Sequence, residues 1–248
     1  MSSIATRPAT EVAAHVAATL DGIFATIDGW RALLEEALGA DAALKAESVD
    51  PLVAAFAEAA VSHDTLLTGA GFVAAPGALA DAEWHLAWWL RDSSEGTARR
   101  LATIDDPTHE QFRDYTALEW WRVPEATRMR HLTGPYVDYV CTDDYTVTVT
   151  TPVFVHGEMV GVVGADALVD RLERELLPVL RGGAQPATIV NASGRVVTST
   201  DAHRDPGSIL RIDGLAEAVR RVPAEPVELP GGASVIACGD TSLALVLG

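Results

Sequence analysis

The residues best suited to chemistry gather in one stretch of the chain. Between positions 115 and 166 stand Tyr115, Trp120, Trp121, Tyr136, Asp138, Asp143, Asp144, Tyr145 and Asp166. Aromatic faces attract a cation by about 0.5–2 kcal/mol per well-placed ring, and a carboxylate completes the neutralisation. The set therefore suits a protonated amine or a quaternary ammonium compound. A plainer reading stands beside it, in which the tryptophan pair is core and the acids are solvated turn residues.

Other chemistries find less support. No GxSxG, HExxH or Walker loop is present, and GVVGAD at 161–166 has too few glycines to cradle phosphate; its valines read as a buried strand. The seven histidines include no i, i+4 pair, and Cys141 and Cys238 stand far apart with no CxxC, so neither a metal site nor a disulfide framework is expected. No cofactor is expected. The one enzymatic alternative uses Asp138 and Asp166 as base and stabiliser acting on a small amine.

Composition narrows the partners. Of 248 residues, 48% are hydrophobic and 21% charged, which is globular and excludes a disordered or fibrous chain. Asp and Glu total 35 against 18 Lys and Arg, and the resulting charge of −17 repels phosphate backbones and anionic membranes. Nucleic acid and membrane are not expected partners. The first fifteen residues lack a secretory pattern, and the longest uncharged run, Thr65 to Ala80, contains three Gly and one Pro and is too short to span a bilayer. A cytoplasmic protein is the expectation.

The elements that must hold the aromatic and acidic set follow from periodicity. Val12, Val16, Leu20, Ile23, Ile27, Trp30, Leu34 and Leu38 recur at helical spacing and predict one long amphipathic helix over about 10–38. Asp50-Pro51 reads as an N-cap and first helical position for a second helix over about 51–63. A hairpin follows around SSEGT, then a short helix in THEQFRDY, and EWWRVPEATRMRHLTGPYVD reads as irregular because Pro124 and Pro135 interrupt it. Thr146 to Val155 and Glu158 to Ala165 are β-branched runs joined at His156-Gly157, an antiparallel pair, with Asp166 ending the second. A helix to Gly182-Gly183 and a smaller unit of short strands with one helix complete the chain. The expected divisions are 1–66, an N-terminal helical region; 67–183, a larger module carrying the pocket; and 184–248, a smaller second module.

The stretch Tyr115 to Asp166 resembles the ligand-binding module of double Cache sensor domains. The likeness lies in an aromatic pair, a PYxD element, a TxTxPVF strand, a Gly-containing turn and a GVVGxD strand running into a helix; NASGRVVTST resembles a strand–turn–strand of the second Cache module. The resemblance implies an α+β fold, a long N-terminal helix packed on two PAS-like modules, each a curved antiparallel sheet flanked by helices. It implies a non-enzymatic sensor. By motif position Trp120 and Trp121 match the aromatic pair, Tyr136 and Asp138 match PYxD, and Asp166 matches the final acid, with Tyr115 at the rim. In amino-acid-binding members an Arg two residues before the aromatic pair grips the ligand carboxylate; here that residue is Leu118. A cationic amine is therefore favoured, an amino acid or small carboxylate second. Family members carry output modules that this sequence lacks, so a separate regulator is the expected partner, with a homodimer through the N-terminal helix possible on its pattern.

Overall fold

A computed structural model describes residues 6–40, 44–62, 65–92, 96–137, 145–221 and 223–248. The long helix α1 (Ala9–Ala40) buries the whole expected stripe from Val12 to Leu38. At about 1.5–3 kcal/mol for each large apolar side chain removed from water, this stripe is what holds so long a helix against the sheets. Helix α2 (Ala46–Val61) begins five residues before the position expected from Asp50-Pro51, and Pro51 lies inside it. Its first N–H groups, from Ala46 and Glu47, donate to the Asp81 carboxylate at 2.7 and 3.4 Å, a cap supplied from 35 residues away that no local pattern announces. Those backbone bonds hold the Asp81 carboxyl below its ordinary range. Asp50, freed from capping, instead pairs with His85 and Arg100, each at 2.7 Å.

The first sheet runs β1 (Leu67–Ala74), β2 (Leu86–Arg91), β3 (Ala98–Arg100), β4 (His131–Val137), β5 (Tyr145–Val155) and β6 (Glu158–Leu168). Its spatial order is β3-β2-β1-β6-β5-β4, and the pairings are antiparallel. The β5–β6 turn has positive φ at both His156 (51°) and Gly157 (87°), the geometry of a two-residue hairpin whose twist matches its strands. β6 extends to Leu168, so Asp166 does not end the strand. It sits inside the sheet, opposite Gly69 of β1 and Thr148 of β5.

The two faces of this sheet differ. Ala70, Phe72, Trp89, Val149 and Val163 point to one face and join the core under α1 and α2. The other face carries two rows that period-two alternation brings together. One runs Leu90, Gly69, Asp166, Thr148, Thr133; the next runs Trp88, Gly71, Gly164, Thr150, His131. A 3-10 turn (Tyr115–Ala117) and helix α3 (Glu119–Thr127) pack over it.

Helix α3 corrects the sequence reading twice. THEQFRDY forms turns up to the 3-10 segment at Tyr115, while in the stretch expected to be irregular Glu119–Thr127 is helical through Pro124 and His131–Val137 is strand β4. The proline is tolerated because the helix is short and the lost bond is replaced. Pro124 has no N–H for the carbonyl four residues back, that of Trp120, and this oxygen accepts from the Thr150 hydroxyl at 2.8 Å. The interruption thus becomes the bolt fastening α3 to β5.

Helix α4 (Val169–Arg181) leads to the second sheet: β7 (Ala187–Asn191), β8 (Val196–Ser199), β9 (Val227–Glu228), β10 (Ser234–Ala237) and β11 (Leu243–Leu247), ordered β8-β7-β11-β10-β9, with helix α5 (Leu215–Arg220) against it. Ile189, Val197, Ile236 and Leu245 share one core with α1 and the first sheet. Asn191 is the polar joint. Its side-chain oxygen accepts from Ser193 N, Ser193 Oγ and Arg195 N at 2.7–3.0 Å, and its amide donates to Gly134 O in β4 at 2.7 Å. Asn191→Ala deletes all four bonds and is expected to lower unfolding free energy by about 1–3 kcal/mol, read as a lower urea midpoint with unchanged slope. An unchanged midpoint would show the joint to be idle.

Candidate ligand-binding site

The polar centre of the α3-covered face is Asp166, only 4% exposed. Its Oδ2 accepts from the Trp88 indole N–H at 3.0 Å and its Oδ1 from the Thr148 hydroxyl at 2.6 Å. Thr148 Oγ1 in turn lies 2.7 Å from the Tyr136 hydroxyl. An indole N–H and a hydroxyl relay thus meet at one buried carboxylate.

Glycines make the cradle. A Cβ on Gly69 would stand 2.5 Å from Asp166 Oδ2 and 2.8 Å from Trp88 Nε1, and one on Gly71 would stand 2.8 Å from Trp88 Cε3. The indole therefore lies flat along β1 across two residues without side chains, which is how its N–H reaches Asp166. Gly164 likewise leaves room for the Thr150 methyl.

The aromatic half lies alongside. Tyr115, Trp121, Trp88, Val73 and Val162 form one buried cluster with half-buried Trp84 and Trp120 around it. The Tyr115 ring packs 5.4 Å from Trp121 and 6.3 Å from Trp120 between centroids. Tyr115 is not at the rim: its hydroxyl donates to Ala74 O at 2.7 Å, and burial pushes its pKa to about 12. Its ring packs against α3. His131 on β4 and Glu119 on α3 meet at 2.9 Å, and that hydrogen bond holds the Glu119 carboxyl below its usual range.

Of the six residues expected at the site, Trp121, Tyr136 and Asp166 come to this face, with Trp88 as the link between rings and carboxylate. Trp120 is half-buried and contributes its backbone carbonyl to Thr150. Asp138, with Cys141, Asp143 and Asp144, lies outside the described residues. Leu118, standing where the family's arginine is expected, is 38% exposed at the N-cap of α3. Arg113 and Arg122 are exposed, and Arg113 donates to Phe112 O.

Sequence reasoning missed Thr148, Thr133 and the glycines. The signal was there as alternation: Gly69 and Gly71, Thr146, Thr148 and Thr150, each at period two, are what a strand needs to present one small or hydroxylated face. Two buried donors on this face have no partner among the described residues, Trp121 Nε1 and Thr133 Oγ1.

Two antiparallel sheets lie along one long helix, with a polar cradle beneath a helix on the first, the fold that the double Cache resemblance implies. Residues 87–174 match the family model for the first PDC sensor domain of methyl-accepting chemotaxis protein-like receptors. Among solved structures the chain is similar to a methyl-accepting chemotaxis protein X, with TM-score 0.65 and 16% identity over 96% of this chain and 91% of that one. It is similar to the extracellular domain of a putative histidine kinase, TM-score 0.58 and 17% identity over 96% and 91%. It is also similar to the ligand-binding domain of the Campylobacter jejuni chemoreceptor Tlp3 in complex with L-valine, TM-score 0.58 and 11% identity over 96% and 90%. At these identities the likeness is one of fold. No curated protein matches the chain. No helix among the described residues is long and apolar enough to cross a membrane.

Proposed function

We propose that this chain is a non-enzymatic sensor module that holds a small cationic amine or quaternary ammonium compound against Asp166, between Trp88 and the aromatic residues of α3, and passes its occupancy to a separate regulator. The observation that carries this reading is the buried Asp166 carboxylate, held by Trp88 and Thr148 in a glycine-lined cradle beside an aromatic cluster. A charge-assisted hydrogen bond contributes about 1.5–3 kcal/mol and a desolvated ring up to about 2 kcal/mol, together enough for micromolar binding once a few apolar contacts are added. Helix α1, packed on both sheets, is the element able to carry a shift from the site to a partner.

A second reading rests on the two unpartnered donors. Trp121 Nε1 and Thr133 Oγ1 suit an acceptor, so a ligand carrying an oxygen as well as an ammonium, an amino acid among them, would satisfy both. The Tlp3 structures with L-valine and isoleucine show that this fold holds such ligands in another protein. Thermal shift against amines, betaines, amino acids and carboxylates separates the readings. A simple amine present at 100 times its dissociation constant is expected to stabilise the chain by about 2.7 kcal/mol. Trp121→Phe should leave amine binding intact and weaken an amino acid by about five- to tenfold. No stabilisation by any ammonium compound refutes the proposal.

A further inference from the structure

A second polar cleft, of about 240 Å³, opens beside α1, where the α3–β4 connection passes the end of β5. Arg31 and Asp28 of α1, Arg128 and Arg130 of the connection, and Thr151 of β5 line it. Three guanidinium groups thus converge in a chain that has only 18 basic residues and a net charge of −17. Their attachments fix them. Arg128 stacks on the Phe154 ring at 4.1 Å and donates to Gly157 O at 3.0 Å. Arg130 stacks on Phe24 at 4.1 Å and pairs with Asp21 at 3.3 Å and Asp240 at 2.7 Å. Arg31 meets Asp28 at 3.5 Å, a loose contact, and its Nε is buried with no partner among the described residues.

The second independent sign is Thr151, 1% exposed, whose hydroxyl is also buried with no partner among the described residues. β4 pairs with β5 only as far as Thr150, so the next residues of β5, still paired with β6 on one edge, border the cleft on the other. Buried donors are seldom left unpaired, because each forfeits its bonds to water. Two such donors beside a cluster of arginines share one complement: a small group of oxygen acceptors with negative charge. Guanidinium forks match both phosphate and carboxylate, and the volume admits a few heavy atoms.

We propose that this cleft is a binding site for a small oxyanion, a phosphate or a carboxylate, separate from the Asp166 site. Arg31 and Thr151 supply the donors that now lack acceptors, and Arg128 supplies charge on a rigid ring-stacked stem.

The test is thermal unfolding and calorimetric titration of the whole chain with inorganic phosphate, succinate and, at matched ionic strength, sodium chloride. Phosphate, succinate or both are expected to raise the melting temperature beyond chloride; which one responds names the chemistry. Thr151→Val, which removes only an unpaired hydroxyl, should leave the anion-free melting temperature unchanged or higher while weakening anion binding about tenfold. Arg31→Gln should weaken it at least as much, and Asp166→Asn should leave it unaltered. Stabilisation no greater than that from chloride, or titrations indifferent to both Thr151→Val and Arg31→Gln in chains that keep their circular dichroism, would overturn the proposal.

Discussion

Gly69→Ala is expected to abolish detectable ligand binding while leaving the secondary structure in place. The added methyl would stand 2.5 Å from Asp166 Oδ2 and 2.8 Å from Trp88 Nε1, so the 3.0 Å hydrogen bond between them cannot persist in its present geometry. Either the carboxylate turns from its donors or the indole lifts from β1; both take away the charge-assisted bond and the ring together. Losing roughly 2–5 kcal/mol of binding corresponds to about thirtyfold or more in affinity. Overpacking of this kind also costs about 1–3 kcal/mol of stability, so the comparison must be made well below the melting temperature. Gly22→Ala is the matched control, since a methyl there meets nothing within 4 Å. Wild-type affinity in Gly69→Ala would show that ligand does not use this cradle.

Asp166→Asn is expected to weaken ammonium binding by about ten- to a hundredfold with little loss of stability. Its mildness toward the fold has a specific reason. The amide oxygen can keep the Trp88 N–H, and the amide nitrogen can donate to Thr148 Oγ1, whose hydroxyl then turns toward Tyr136 instead of Asp166. The hydroxyl relay reverses direction while the contacts to Trp88, Thr148 and Tyr136 persist. Calorimetry would register the change as a weaker dissociation constant for cations, with neutral analogues unaffected. Equal affinities for the two proteins would remove Asp166 as the ammonium anchor.

Such contrasts follow from how the face is assembled. Glycine and threonine at alternate positions of β1 and β5 leave a trough, Trp88 fills one side of it, and α3 closes over the rings. The trough's floor is a central part of the sheet, so its groups are held by backbone pairing on both sides and have little freedom to relax around a substitution.

Some of this was legible in the chain as a string of residues. The apolar stripe of α1, the His156-Gly157 hairpin and the strand pattern around it depend on local periodicity and turn chemistry, which a sequence carries in full. The acid at 166 and the aromatic pair at 120–121 stood out by type and spacing. What folding alone decided was pairing at a distance. Asp81 caps α2 across 35 residues, Thr150 replaces the bond Pro124 cannot make, and Trp88 reaches Asp166 across two glycines of another strand. Each is a contact between elements remote in the chain, whose choice depends on sheet register; a shift of one residue would turn Asp166 and Thr148 to the opposite face. Tyr115 shows the limit from the other side: a residue type apt for binding is here a buried brace, its hydroxyl on Ala74 O and its ring packed with Trp121.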